Sequence, residues 1–336
     1  MTDIVVASAP GKVILSGEYA VLDGAPAICM AVGRRARVTL SGLAGDTFEV
    51  SAPGFSDQVS CFRLSADGDD RIQWTNAGDA LRIVDSVFRA ANVQDFAAQA
   101  IDLNTVEFAD AVSGAKMGIG SSAALTVALC SALLNSADAA AIQGIALRAH
   151  ADLQGDVGSG TDIACSIVGG LIDYRMKGST VTRLDWPEKL SYRLIWTGSA
   201  SSTTDKLAKL DAGASMPSRV RLAGASEAMA ATWRSGDAVK IINDYADYCE
   251  VLHKFSIDHD LGIFDAGHSE LWHTAKAMDL IYKPCGAGGG DVGIVLGLDD
   301  AAIEEFASKL TPDQAVLDAR LSDTGVRVEK LETGQS

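Results

Sequence analysis

Residues 114–134, GAKMGIGSSAALTVALCSALL, set Gly114, Gly118 and Gly120 and the pair Ser121 and Ser122 directly in front of a long apolar run. Glycine lets a backbone turn and approach a ligand with no Cβ in the way. Serines at the start of a helix stand among N–H groups that lack intrahelical partners, at the positive end of the helix dipole. That combination suits an anion, phosphate above all, and the serine hydroxyls add hydrogen bonds or a Mg2+ contact. Taken alone, the pair reads more simply as a helix cap. Two other segments share this character. KPCGAGGGDVGIVL, starting at Lys283, holds more consecutive glycines than a strand start requires, and GSGTDIA, starting at Gly158, sets Asp162 just after a flexible turn. Asp162 is there either to cap the next segment or to carry chemistry. Gly118-x-Gly120-x-x-Ala123 partly fits a dinucleotide fingerprint, but no strand separates the helix from Asp138, and no GxxxxGK[ST] loop occurs.

Elements must position these residues. DIVVASAPGKVILS reads as two short strands, 3–8 and 11–16, separated by Pro10-Gly11, and residues 36–74 alternate β segments with Gly, Asp and Ser turns as hairpins do. Helices are expected over 76–92 and 123–134, with a third ending near Gly155. CSIVGGLIDYRM, from Cys165, returns to β character and is followed by more strand up to the helical block at about 217–254. Then come a helix from His268, the glycine cluster at 286–290, a strand from Val292, a helix from Asp300 and a polar tail. A division into 1–180 and 181–336 follows, since 336 residues exceed the usual size of one core.

Composition narrows the function classes. With 48% hydrophobic residues and a formal charge of −16, the chain is globular and unsuited to DNA phosphates or anionic lipid. The basic run GRRAR at 33–37 reads as the solvated edge of a strand, and no segment reaches ~18 uninterrupted apolar residues. The expectation is a cytoplasmic protein with neither nucleic acid nor membrane as partner. Six scattered cysteines without a CxxC pair read as reduced core residues, and the five histidines show no metal-ligand spacing, so structural or surface roles suffice for them.

Pro10-Gly11-Lys12, Gly118 to Ala124 and Gly286 to Asp291 occur in the order and spacing of the three motifs of the GHMP kinases, with Asp162 between the second and third. The chain resembles that superfamily (galactokinase, homoserine kinase, mevalonate kinase, phosphomevalonate kinase) over nearly its whole length. GEYAVLDG with Tyr19, IDLNTVEF, HADLQGDVGSGTD, IWTGSASSTT and Asp291 in the last glycine cluster are similar to the phosphomevalonate kinase branch. Gly160-Thr161-Asp162 lacks the aromatic residue usual before the Asp, and Ile119 stands where Leu is usual.

The resemblance implies an α+β fold of two domains, one ribosomal-protein-S5-like and one ferredoxin-like. It implies transfer of the ATP γ-phosphoryl group to a small phosphorylated substrate, 5-phosphomevalonate, with Mg2+, by a monomer or homodimer. Lys12 and Asp162 are then the catalytic candidates, Asp162 orienting Lys12 or the acceptor, or taking a proton if the acceptor is an alcohol. Lys116, Gly118, Gly120, Ser121, Ser122, Ala123, Gly288 and Gly289 would bind ATP, with Ser121 and Ser122 also reaching the metal. Lys12, Tyr19, Lys116, Ser159 and Ser202 would meet the substrate. Lys283 would meet ATP or merely pack, and Asp152 is the candidate for an acidic metal ligand. The alternatives are a mevalonate or other small-alcohol kinase, a diphosphomevalonate decarboxylase, and a catalytically dead binding protein of the same fold.

Overall fold

The structure, a computed structural model, describes residues 4–65, 72–76, 81–93, 96–155, 158–201, 206, 209–210 and 216–331. Along the chain run β1 (Ile4–Ser16), β2 (Ala27–Gly42), β3 (Thr47–Ala52), β4 (Ser56–Leu64), β5 (Ile72–Trp74), α1 (Arg82–Ala90), β6 (Gln99–Asn104), α2 (Ser121–Leu134), α3 (Ala139–Gln154) and α4 (Thr161–Val168). They are followed by β7 (Leu171–Arg175), β8 (Thr180–Leu184), β9 (Ser191–Trp196), α5 (Met216–Ser235), α6 (Ala238–Asp258), α7 (His268–Lys276), β10 (Ile281–Pro284), β11 (Val292–Gly297), α8 (Asp300–Ala307), β12 (Ala315–Leu317) and β13 (Arg327–Leu331).

The fold is two-domain α+β, each domain built on its own sheet. The larger sheet has the order β13-β1-β2-β6-β3-β4-β5, with β7 and then β8 continuing from β2. All its pairs are antiparallel except β3 with β6. The smaller sheet is an antiparallel β10-β11-β9-β12. Thr180–Leu184 and Arg327–Leu331 belong to the larger sheet, so strands from beyond residue 180 complete it. Among the described residues, no helix is long and apolar enough to cross a membrane.

Pro10-Gly11 lies inside a strand and does not divide one from another. β1 is one strand of 13 residues whose register against β2 shifts between Pro10 and Gly11. The shift leaves Gly33 and Arg34 of β2 unmatched between the partners Arg35 and Val32, and the face that each side of β1 presents changes across it. Ala7 and Ala9 lie in the core under α1, α2 and α3, whereas Val13 and Leu15, of the same parity, lie in the core shared with α5, α6 and the smaller sheet. Lys12 and Ile14 are thereby turned toward α4, where Ile14 packs with Ala164 and Cys165. The bulge is what delivers Lys12 to the helix side of the sheet.

α2 explains its own sequence. Ala123, Val127, Ala128 and Cys130 join the core beneath the larger sheet and Ala124 joins the other. A helix apolar on all sides is a buried helix.

Other expectations are corrected. GRRAR lies within β2, an interior strand, not at an edge. The half-buried Arg35 guanidinium donates to Ser8 O and Oγ and to the carbonyls of Thr324 and Gly325, so it pins the C-terminal segment; burial, helped by Arg327 and Arg37, lowers its pKa to about 10. Cys165 to Val168 are helical, because Gly169 and Gly170 rather than Cys165 open β7. α1 starts at Arg82, and the polar tail contains β12 and β13. The cysteines are free, and all but Cys61 are buried.

Candidate active site

Gly11 is required by close approach: a Cβ there would stand 2.5 Å from the carbonyl oxygen of Ile119. The approach lets the Lys12 N–H donate to that carbonyl at 2.8 Å, which ties β1 to the loop preceding α2. Lys12 then runs under Gly120, whose added Cβ would meet the lysine Cε at 2.9 Å, and ends with Nζ 3.0 Å from Asp162 Oδ2 in the first turn of α4. Burial alone would lower the Lys12 pKa, but Asp162, aided by Cys29 and Cys165, outweighs it and holds the ammonium above its ordinary range. Lys12 is therefore a fixed positive charge.

The second and third glycine segments meet as closely. Gly118, at φ 72°, faces Asp291, whose Cγ lies 2.1 Å from where a Gly118 Cβ would be. Asp291 itself sits at φ 58°, and its Oδ1 accepts the N–H of Ser201 at 3.1 Å. Burial raises the pKa of this carboxyl, against the pull of Ser201, Lys12 and Lys206. His268 holds the glycine loop from behind. Its Nε2 must donate to the Gly290 carbonyl at 2.8 Å, so Nδ1 accepts from Tyr282 Oη at 2.8 Å and the ring is neutral; burial, with Lys283 and Lys206, lowers its pKa to about 4.

Two cavities adjoin these segments. One, of about 110 Å3, is lined by Lys12, Asp162, Tyr19, His150, Ser159 and Ala287 among others. The second, of about 180 Å3, is lined by Lys116, Ser121, Ser122, Phe55, Arg82 and Thr105 among others. Gly120 opens α2 in the left-handed conformation, and no side chain caps the first turn. Among the described residues the amides of Ser121, Ser122 and Ala123 have no hydrogen-bond partner, which leaves them available to an anion at the second cavity. Lys116 lies over the Phe55 ring, 5.7 Å from its centroid.

The sequence-derived candidates divide accordingly. Lys12, Asp162, Tyr19 and Ser159 come together in the first cavity, with Lys116, Ser121 and Ser122 in the second. Tyr19 Oη is engaged with the Ala287 carbonyl at 2.7 Å, and Ser159 Oγ lies 2.9 Å from Thr161 Oγ1. Gly288 and Gly289 line neither cavity; they pack against Ile263 and Gly262, while Gly286 and Ala287 do the lining. Ser202 lies outside the described residues. Asp152 is turned away toward Ser86 and Arg89.

Lys283 is fully buried and does not reach either cavity. Its Nζ lies 2.5 Å from Glu18 Oε1, and Tyr248 Oη donates to Glu18 Oε2 at 2.9 Å. Sequence reasoning missed Glu18, which sits beside Tyr19 in the first cavity, and gave His150 a structural or surface role although it lines that cavity too. The available signal was position: Glu18 precedes Tyr19 in GEYAVLDG, and His150 lies eight residues before Gly158.

No family model matches the chain. The phosphomevalonate kinase of Streptomyces sp. (strain CL190) is 30% identical to it, over 87% of this chain and 89% of that protein. The chain belongs to the phosphomevalonate kinase family of GHMP kinases. This GHMP kinase is also 27% identical to the mevalonate kinase of Pyrococcus abyssi, over 98% of this chain and 99% of that one. In fold, the kinase matches the Streptococcus pneumoniae phosphomevalonate kinase solved with phosphomevalonate and AMPPNP, at a TM-score of 0.78 and 18% identity, covering 94% of this chain and 99% of that one.

Proposed function

We propose that this kinase transfers the γ-phosphoryl group of ATP to the phosphate of 5-phosphomevalonate, giving mevalonate 5-diphosphate and ADP. The observation that carries the proposal is the Lys12–Asp162 pair, 3.0 Å apart, with the lysine stem against Gly120 and the next two residues, Ser121 and Ser122, lining the second cavity. Phosphoryl transfer needs alignment and neutralisation of charge more than covalent help from the protein. ATP enters from the Lys116 side, with its phosphates on the amides of Ser121, Ser122 and Ala123. The acceptor occupies the Lys12 cavity. Lys12 bridges the donor and acceptor phosphates, and Asp162 fixes its direction.

A phosphate monoester, with a second pKa near ~6, is already largely dianionic at neutral pH, so the acceptor needs no strong base. Asp162 is engaged with Lys12, a positioning role that suits this acceptor better than an alcohol, from which a proton must be taken. The residues also fit Mg2+, since the Ser121 and Ser122 hydroxyls are hard oxygen donors beside the proposed phosphate path. When bound, the metal would neutralise phosphate charge. The reading includes a cytoplasmic monomer or homodimer, in keeping with six unpaired cysteines.

The test is ATP/Mg2+ turnover with mevalonate, 5-phosphomevalonate and mevalonate diphosphate in parallel, in wild type and Asp162→Asn. ADP and a new diphosphate are expected from 5-phosphomevalonate alone, with turnover falling at least ~100-fold in the variant if Asp162 fixes Lys12. Release of CO2 from the diphosphate, phosphorylation of mevalonate alone, or intact turnover in the variant would each overturn the proposal.

A further inference from the structure

The Lys12 cavity contains a side chain that phosphoryl transfer, as proposed, leaves unused. His150, on α3, is 4% exposed, and its ring makes no hydrogen bond to any described residue. It forms a wall common to the Lys12 cavity and to an adjoining space of about 210 Å3 lined by Leu147, Ala151, Tyr174 and Met176. Its ring nitrogens have no partner among the described residues and are not sealed inside the protein, so they are open to a group that enters the cavity. The charged groups that act on the ring are Asp162 of α4 and Lys12 of β1; burial, joined by Lys12 and opposed by Asp162, keeps it below its ordinary pKa and hence neutral at pH 7. A neutral imidazole still offers one N–H donor.

We propose that His150 contacts the acceptor, donating its ring N–H to an oxygen of the acceptor phosphate beside Lys12, and so sets the preference for a phosphorylated over an unphosphorylated acceptor. This rests on the phosphoryl-transfer reading above. A phosphate presents several oxygens and accepts from Lys12 and His150 at once. An alcohol offers a single uncharged oxygen in place of several charged ones, so it accepts more weakly from both groups. The site rejects the smaller acceptor for the same reason that any site built to hydrogen-bond a group rejects the analogue lacking it.

The experiment compares wild type, His150→Leu and His150→Gln for kcat and KM with 5-phosphomevalonate, mevalonate and ATP. In His150→Leu, kcat/KM for 5-phosphomevalonate should fall about 10- to 100-fold, the range for losing a hydrogen bond to a charged group. The KM for ATP should stay within about twofold, and the ratio of 5-phosphomevalonate to mevalonate use should shrink. His150→Gln, which keeps a donor, should recover some of the loss. A purely structural role would instead move the ATP constants and the thermal midpoint together, with no rescue by glutamine. His150→Ala carries the same expectation should leucine not be accommodated. If wild type turns over 5-phosphomevalonate and the leucine and alanine variants match it, the His150 assignment falls alone; if wild type fails on 5-phosphomevalonate, the assignment falls together with the reading beneath it.

Discussion

Gly118→Ala measures how tightly the second and third glycine segments are joined. Gly118 has φ 72°, a conformation that disfavours any L side chain by about 1–2 kcal/mol. Its Cβ would also fall 2.1 Å from Asp291 Cγ and 2.3 Å from Asp291 Cβ, so the backbone at 291 must move and the Ser201 hydrogen bond to Asp291 is put at risk. Overpacking of this kind costs about 1–3 kcal/mol, and a hydrogen bond to a charged group about 1.5–3 kcal/mol.

Gly114 supplies the control: it has φ 70°, yet a Cβ there meets nothing within 4 Å. Gly114→Ala should therefore lose only the backbone contribution, and Gly118→Ala should exceed it by about 2.5–6 kcal/mol. Asp291, at φ 58°, accepts glycine readily, so Gly118→Ala with Asp291→Gly should lose less than the two single changes added, by at least ~1 kcal/mol. Denaturant unfolding of the four variants reads all three numbers. Equal losses at 114 and 118, or strict additivity in the double variant, would refute the contact as the cause.

Removing one partner of the Glu18–Lys283 pair leaves a charge in a fully buried site. Glu18→Gln should cost about 3–5 kcal/mol in urea unfolding, and adding Lys283→Met should return most of it. His268 predicts a pH window: its folded pKa of about 4 lies below its unfolded value of 6.5, so as pH falls the unfolded chain takes the proton first. The stability tied to His268 is whole above pH 6.5 and drains away down to about pH 4, where the loss reaches about 3 kcal/mol. Unfolding curves of His268→Gln should show a correspondingly weaker loss over that window.

The chemistry of the site was largely legible because it depends on residue type and local spacing. Glycines with serines before an apolar run mark α2 and its open N-terminus, and Gly155 ends α3 in the left-handed conformation as a C-terminal glycine should. What was not legible depends on distant partners. Pro10-Gly11 looks the same as a turn or as a bulge until β2 is seen beside it. Arg35 reads as solvated until the carbonyls of Thr324 and Gly325 arrive from the far end of the chain. Glu18 and Lys283 are 265 positions apart in sequence, so only the folded chain reveals them as a pair. His150 is marked in the sequence only by its place in HADLQGDVGSGTD; its meaning comes from the cavity it faces.

The pairing of β13 with Ile4–Ser8 sets an order of events during synthesis. A nascent chain that has not reached residue 327 holds the start of β1 with one edge unmatched, although β2 can already bind its other edge. Such an edge invites pairing with other chains. The larger sheet, six of whose nine strands lie before residue 105, thus stays unsealed until residues 327–331 have been made.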